Sequence, residues 1–99
     1  MAKIYKFFQV RFTEPWYQLS QEEQTSLMAK VDDALEKVGG KRIILCDSSW
    51  SSEQWPGFGI EEFPDAEAVQ KHSELLNELN WLRYIESRTL LGTEWQLPS

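Results

Sequence analysis

Residues 57–80 read GFGIEEFPDAEAVQKHSELLNELN, and this stretch holds a strand followed directly by a helix. Its first seven side chains alternate between two faces, which is the period-two pattern of a β-strand. Pro64 ends that strand, and Asp65 supplies a side-chain acceptor for the first turn of a helix that ends near Asn80. The helical spacing of three and four residues is carried by Val69, His72, Leu76 and Leu79. The stretch is therefore one strand–helix unit.

The first half of the chain has the same organisation. Residues 3–12 alternate in period two and predict a strand with two usable faces. Ser20, with Glu23 three residues later, has the form of a capping box. The apolar residues that follow recur at helical spacing as far as Val38, before a pair of glycines. We therefore predict a second strand–helix unit.

Two further strands complete the pattern. Ile43, Ile44, Leu45 and Cys46 form a short apolar run, and residues 84–92 alternate again. The predicted order is β-α-β-β-α-β, the ferredoxin-like α+β arrangement of a four-stranded antiparallel sheet with two helices on one face. A polar loop over residues 47–56 connects the two halves and contains Trp50.

Composition narrows the classes of protein. Ninety-nine residues with 41% apolar content predict a single domain over residues 1–99. The net charge of −6 argues against a nucleic-acid partner and against anionic membrane surfaces, because both need clustered Lys and Arg. No secretory leader or membrane-spanning run is recognisable, and the lone Cys46 cannot form an internal disulfide. We expect a cytoplasmic protein.

The helices leave one face of the predicted sheet bare, and alternation assigns residues to each face. The side expected to face the helices holds Ile4, Phe8, Ile43, Leu45, Phe58, Ile60, Ile85 and Leu91. The bare side is then expected to hold Tyr5, Phe7, Gln9, Arg11, Ile44, Cys46, Ser48, Gly57, Gly59, Glu61, Tyr84, Glu86 and Arg88. This second set is too aromatic to face water in a monomer. We therefore predict a homodimer in which two such sheets close into a barrel.

Three segments resemble a known family. They are Glu14-Pro15-Trp16-Tyr17, Phe63-Pro64-Asp65-Ala66, and the run from Asn80 to Glu86, which reads NWLRYIE. Together they look like the darcynin-like group of the dimeric α+β barrel superfamily, over nearly the whole chain. The resemblance implies a ferredoxin-like dimer. The superfamily also contains cofactor-free monooxygenases, lactone isomerases, polyketide cyclases, haem-degrading enzymes and stress-induced proteins, and membership does not choose among them.

His72 is the first candidate site residue. It is the only histidine of the chain and would be a natural proton carrier near neutral pH. The resemblance adds that haem-degrading relatives use a histidine of the second helix as axial ligand. The alternative is a buried histidine that is bonded to a neighbour and does no chemistry, since His72 lies on the apolar stripe between Val69 and Leu76.

The charged residues of the bare face are the second candidate. Arg11, Glu61, Glu86 and Arg88 would enter a poorly hydrated lumen, where a carboxylate can serve as a general acid or base. Alternatively these groups pair with each other, within one face or across the dimer. Neither a metal site nor a cofactor motif is recognisable, so we expect none.

Three functional hypotheses remain open. An enzyme, such as an oxygenase, isomerase or cyclase, would bind a small aromatic or polyketide-like molecule in the lumen, with Glu86 or His72 moving protons. Its ligand would contact Tyr5, Phe7, Arg11, Trp50, Glu61, Tyr84 and Arg88. A binding protein would use the same space without turnover. A structural dimer would fill the lumen with its own aromatic side chains.

Overall fold

The chain is described by a computed structural model that covers residues 2–98. Its elements are β1 (Ile4–Phe12), α1 (Glu14–Tyr17), α2 (Gln21–Lys37), β2 (Lys41–Asp47), β3 (Gly57–Phe63), α3 (Ala66–Glu78), α4 (Trp81–Tyr84) and β4 (Ile85–Gly92). The strands form one sheet in the order β2-β3-β1-β4, and each neighbouring pair is antiparallel. The predicted ferredoxin-like α+β fold is therefore confirmed.

The two long helices start at the residues that the sequence indicates. The Ser20 hydroxyl accepts a hydrogen bond from the Glu23 amide at 3.0 Å, and the Glu23 carboxylate accepts one from the Ser20 amide at 3.0 Å. This reciprocal capping box satisfies two amides that would otherwise lack partners at the start of α2. At the start of α3, the Asp65 carboxylate accepts from the Ala68 amide at 2.8 Å. Gly39, with φ of 77°, turns the chain away after α2.

Two short helices, α1 and α4, were not predicted, and they close one end of the sheet. Phe12 stacks on Trp16 with ring centroids 4.4 Å apart, and Trp81 meets Trp16 edge-on at 6.1 Å. The segments are tied together because the Thr13 amide donates to the Tyr84 carbonyl oxygen at 3.0 Å. Tyr84 belongs to α4 and packs against this aromatic cluster. Its predicted place in the fourth strand, on the bare face, is therefore wrong.

The predicted face assignment is right for β1 and wrong for β3. Register pairs Phe8 with Gly59 and Lys6 with Glu61, so the odd-numbered residues of β3 face the helices. Phe63 is completely buried on that side, which fixes the phase of the whole strand. A Cβ at Gly59 would lie 2.7 Å from Phe8 Cζ, so glycine at this position makes room for the Phe8 ring. Gly57, Gly59 and Glu61 thus lie on the helix-covered face, while Phe58 and Ile60 lie on the bare face.

A register irregularity between Arg42 and Ile44 corrects one further assignment. Ile43 was expected to face the helices but is largely exposed at this irregularity. Arg42 pairs with Glu61 and lies on the helix-covered face instead. Because of this irregularity, the helix-covered face has the Arg42 guanidinium where the apolar side chain of Ile43 was expected.

The bare face carries apolar side chains. Ile44 and Leu90 are 49% and 69% exposed, and the rings of Phe7 and Phe58 lie 6.0 Å apart on the same face.

Between residues 2 and 98, no helix has the length and apolar character needed to cross a membrane.

Candidate functional site

A cavity of about 400 Å³ lies between the helix-covered face of the sheet and the helices. This volume falls in the range of about 300–1,000 Å³ that is typical of small-molecule sites. Much of its wall is apolar and comes from β1, α2, α3 and α4, through Phe8, Val10, Phe12, Val31, Leu76 and Trp81. The cavity therefore lies inside one copy of the fold, on the opposite side of the sheet from the predicted lumen.

One part of the wall is charged. Glu61 lies on β3, and register places Lys6 of β1 on one side of it and Arg42 of β2 on the other. Lys6 Nζ is 3.8 Å from Glu61 Oε1. Arg42 Nη2 is 3.1 Å from Oδ1 of Asp32, a half-exposed residue of α2. The three strands thus place two cations beside one buried carboxylate.

The pKa values of the Lys6–Glu61 pair show that burial outweighs pairing. Burial raises the pKa of the Glu61 carboxyl above its usual range, although Lys6 and Arg42 act in the opposite direction. Burial lowers the pKa of the Lys6 ammonium, although Glu61 partly compensates. At 3.8 Å the two groups are too far apart for a hydrogen bond, whereas a close charge-assisted pair spans about 2.7–2.9 Å. Both groups are therefore poorly solvated and only partly paired.

His72 lines the same cavity but is uncharged at neutral pH. It is 2% exposed, and its ring lies 5.2 Å from the ring of Phe63. Burial, together with the smaller effect of the positive charges of Lys6 and Arg42, lowers the pKa of its imidazole to about 4. The buried-histidine interpretation differs from the structure in one respect, because Nδ1 is buried without a hydrogen-bond partner in the described part of the chain.

The remaining predicted site residues lie away from this cavity. Glu86 is exposed on the bare face and accepts hydrogen bonds from Arg11, from Nε at 3.0 Å and also from Nη2. Tyr5, Phe7 and Arg88 lie on the same face, as predicted. Their predicted roles in catalysis and ligand binding stay predictions.

The polar loop before β3 contains two tryptophans, Trp50 and Trp55, which differ in their exposure. Trp50 is 85% exposed in the loop. The other indole, Trp55, is half-buried, and the Arg11 guanidinium lies 5.6 Å from its ring centroid. Of the predicted site residues, the structure therefore brings together only Glu61 and His72 at the cavity.

Sequence reasoning missed Lys6 and Arg42. A signal for Lys6 was present, because it falls in phase with Ile4, Phe8 and Val10, which face the helices. A lysine in phase with an apolar stripe indicates a buried cation that needs a partner. Arg42 carried no such signal, because its position depends on the register irregularity that follows it.

The cavity wall does not contain a cluster of metal ligands. Among residues 2–98, no group of three or more His, Cys, Asp or Glu side chains is placed to hold a metal ion. The family resemblance drew attention to His72, because it lies on the second long helix. Nδ1 of His72 is buried without a hydrogen-bond partner among the described residues, and His72 lines the cavity.

The fold and the cavity define a ferredoxin-like α+β protein with a partly open cavity between its sheet and its helices. No protein-family model matches the chain, and no curated protein matches it. Solved structures of chlorite dismutase from Candidatus Nitrospira defluvii have the same fold. A mutant of that enzyme in which one arginine is replaced by lysine is 20% identical over 94% of this chain, with a TM-score of 0.73. Its complex with imidazole is 22% identical over 93% of this chain, with a TM-score of 0.75.

The length of these structures limits what the likeness shows. This chain spans 40% of both chlorite dismutase chains, about two fifths of their length. Identities of 20% and 22% establish the fold and no more. The darcynin-like resemblance, the single domain over residues 1–99 and the cytoplasmic location therefore stay predictions.

Proposed function

We propose that this protein binds a small organic acid with a planar, apolar body in the cavity between the sheet and the helices. One observation carries the proposal: a largely apolar cavity has two cations, Lys6 and Arg42, on either side of the buried Glu61. Sites for small molecules commonly combine such an apolar wall with a few polar groups that fix the orientation of the ligand. Under this proposal the ligand binds within one protomer and not in the lumen of a dimer.

The loosely paired lysine favours an anion. Asp32 pairs with Arg42 at 3.1 Å, so the two cations and the two carboxylates carry no net charge together, and His72 is neutral because its pKa is lowered to about 4. Lys6 makes no contact closer than 3.8 Å with Glu61, so its ammonium retains donors for a ligand carboxylate. An anion there would supply the pairing that the buried lysine lacks.

The chlorite dismutases of the same fold act on an anion, chlorite, which is in keeping with this proposal.

Isothermal titration calorimetry tests the proposal with three probes that share one ring system. We expect 1-naphthoate to bind at least about tenfold more tightly than neutral naphthalene-1-methanol, since one charge-assisted hydrogen bond contributes about 1.5–3 kcal/mol. Naphthalen-1-ylmethylammonium should bind most weakly. Equal affinity for all three, or no binding of 1-naphthoate, would contradict the proposal.

Two variants locate the site. The double variant Lys6→Met/Glu61→Leu removes the central charges together, so that neither is left alone, and it should lose the preference for the anion. Lys3→Met is the matched control, because Lys3 is 61% exposed and pairs with Glu62 away from the cavity. That control should bind like the wild type. A preference for the anion that survives in the double variant would place the ligand elsewhere.

The bare face supports a second proposal, that two copies of the chain pair through their sheets. Ile44 and Leu90 are exposed there beside the aromatic pair of Phe7 and Phe58. Exposed apolar surface of this kind marks interfaces more often than free surface. Analytical ultracentrifugation should report a dimer for the wild type and a monomer for Ile44→Arg/Leu90→Arg. Tyr17→Arg, an exposed site outside the sheet, is the control. A wild-type monomer at micromolar concentration would refute the proposed dimer.

A further inference from the structure

We infer that Glu61 is a general base that removes a proton from the carbon beside the carbonyl group of a bound aromatic keto acid. The inference rests on the proposed binding of an organic acid in the same cavity and adds both a reaction and a substrate class. The Lys6 ammonium and the Arg42 guanidinium would hold the substrate oxygens. His72 is buried and uncharged, so it would add no positive charge that could draw the substrate anion away from Lys6 and Arg42.

The geometry leaves Glu61 free to accept a proton. Glu61 is 6% exposed, and it lines a cavity large enough for a small molecule. Its carboxylate lies 3.8 Å from Lys6 Nζ, which is beyond hydrogen-bonding distance. A carboxylate committed to a short bidentate ion pair would have its lone pairs engaged. Glu61 instead retains acceptor capacity beside a cation that also retains its donors.

The surroundings of Glu61 adjust its basicity. The charged or titratable groups that face it are Lys6 from β1, Arg42 from β2, Asp32 from α2 and His72 from α3. Burial is the largest influence and raises the pKa of Glu61, and Asp32 acts in the same direction. A carboxylate whose pKa is raised is a stronger base, which suits it to general-base catalysis.

The proposed step balances without a cofactor. The Glu61 carboxylate takes the proton from the carbon next to the carbonyl, and the electron pair of that C–H bond forms a C=C bond. The carbonyl π electrons move to oxygen, giving an enolate beside the Lys6 ammonium, which stabilises the developing charge. Return of a proton from Glu61 to carbon restores the ketone. Nothing is oxidised or reduced.

Phenylpyruvate in D₂O is the probe, because its CH₂ group gains deuterium whenever the Glu61 carboxyl exchanges its proton with D₂O before a proton returns to carbon. ¹H NMR follows the loss of the CH₂ signal, and calorimetry measures binding to the same samples. We expect the protein to exceed the buffer rate, and Glu61→Gln to lower the protein-dependent rate by about 100-fold or more while binding is retained. Glu62→Gln, on the opposite face of the same strand, is the matched control and should keep the wild-type rate.

A second measurement covers the case in which Glu61→Gln does not fold. The wild-type exchange rate, with the buffer rate subtracted, should rise with pH through an inflection above the ordinary glutamate value of 4.5. A flat profile would overturn the inference. Binding of phenylpyruvate without faster exchange would also overturn it, while the proposed function would stand. If neither phenylpyruvate nor 1-naphthoate binds, both the inference and the proposed function fail.

Discussion

Removal of Lys6 alone should destabilise the fold strongly, because it would leave Glu61 buried without its partner. Breaking a buried ion pair from one side typically costs about 3–5 kcal/mol. The side chains of Lys6 and Glu61 are 14% and 8% exposed, and their charges are 3.8 Å apart. We therefore expect a value near the lower end, about 3 kcal/mol, for Lys6→Met. Urea unfolding at pH 7, followed by far-UV circular dichroism, measures the change.

The double variant Lys6→Met/Glu61→Leu should recover most of that loss. A buried pair replaced by apolar side chains of similar volume is often neutral or stabilising. The wild type, both single variants and the double variant form a thermodynamic cycle that gives the coupling free energy. If Lys6→Met costs less than about 1 kcal/mol, or if the double variant loses the sum of the two single losses, the description of a buried and coupled pair is wrong.

The loss in Lys6→Met should also depend on pH. A carboxyl whose pKa is raised in the folded state stabilises the fold at low pH, and that contribution is lost as the pH rises through the folded pKa. Without Lys6, which lowers the pKa of Glu61 in the wild type, this pKa rises further. The deficit of the variant should therefore be smaller at pH 5 than at pH 7. A deficit that grows on acidification would contradict the assigned sign.

Three further predictions concern the fold around the cavity. Gly59→Ala should cost about 1–3 kcal/mol in urea unfolding, since its Cβ would lie 2.7 Å from Phe8 Cζ, whereas Gly92→Ala has nothing within 4 Å and serves as the control. Wild-type stability should fall by about 2 kcal/mol more than that of His72→Gln between pH 7 and pH 5. The reason is that unfolding raises the His72 pKa from about 4 towards 6.5; an NMR midpoint near 6.5 in the folded protein would refute this. Ser20→Ala should cost about 1 kcal/mol through loss of its cap, measured by thermal unfolding, and no change would show that the cap is not formed in solution.

Local signals were sufficient to predict most of the fold. The capping residues Ser20 and Asp65 each set a helix start, and each makes the expected hydrogen bond. Period-two alternation located β1, β3 and β4, and a short apolar run located β2, because both patterns depend only on the sequence of one strand. These features require no knowledge of which strands become neighbours.

The faces of the strands depended on information that alternation lacks. In β3, Phe58 and Ile60 look like the buried set, since the opposite phase holds Gly57, Gly59 and Glu61. The large Phe8 ring of the neighbouring strand takes up the space above Gly59, and Phe63 is buried in the same phase. Strand pairing therefore decides the face, and counting back from Phe63 would have been the better guide.

The candidate site was predictable only in part. Glu61 and His72 were recognised as titratable residues of interest, but Glu61 was assigned to the opposite face of the sheet. The partners of Glu61 come from two other strands and depend on cross-strand register. Long-range pairing of this kind is not visible in a single sequence. Glu86, the other predicted catalytic residue, lies on the bare face in an exposed pair with Arg11.

A crystal structure grown with 1-naphthoate tests the central claim most directly, that the site lies between the sheet and the helices. We expect the ring against Phe8 and Trp81, and a carboxylate oxygen at about 2.7–2.9 Å from Lys6 Nζ. The contrary result is a ligand held on the bare face between two copies, or a cavity filled by the protein's own side chains with Lys6 and Glu61 closed into a direct hydrogen bond.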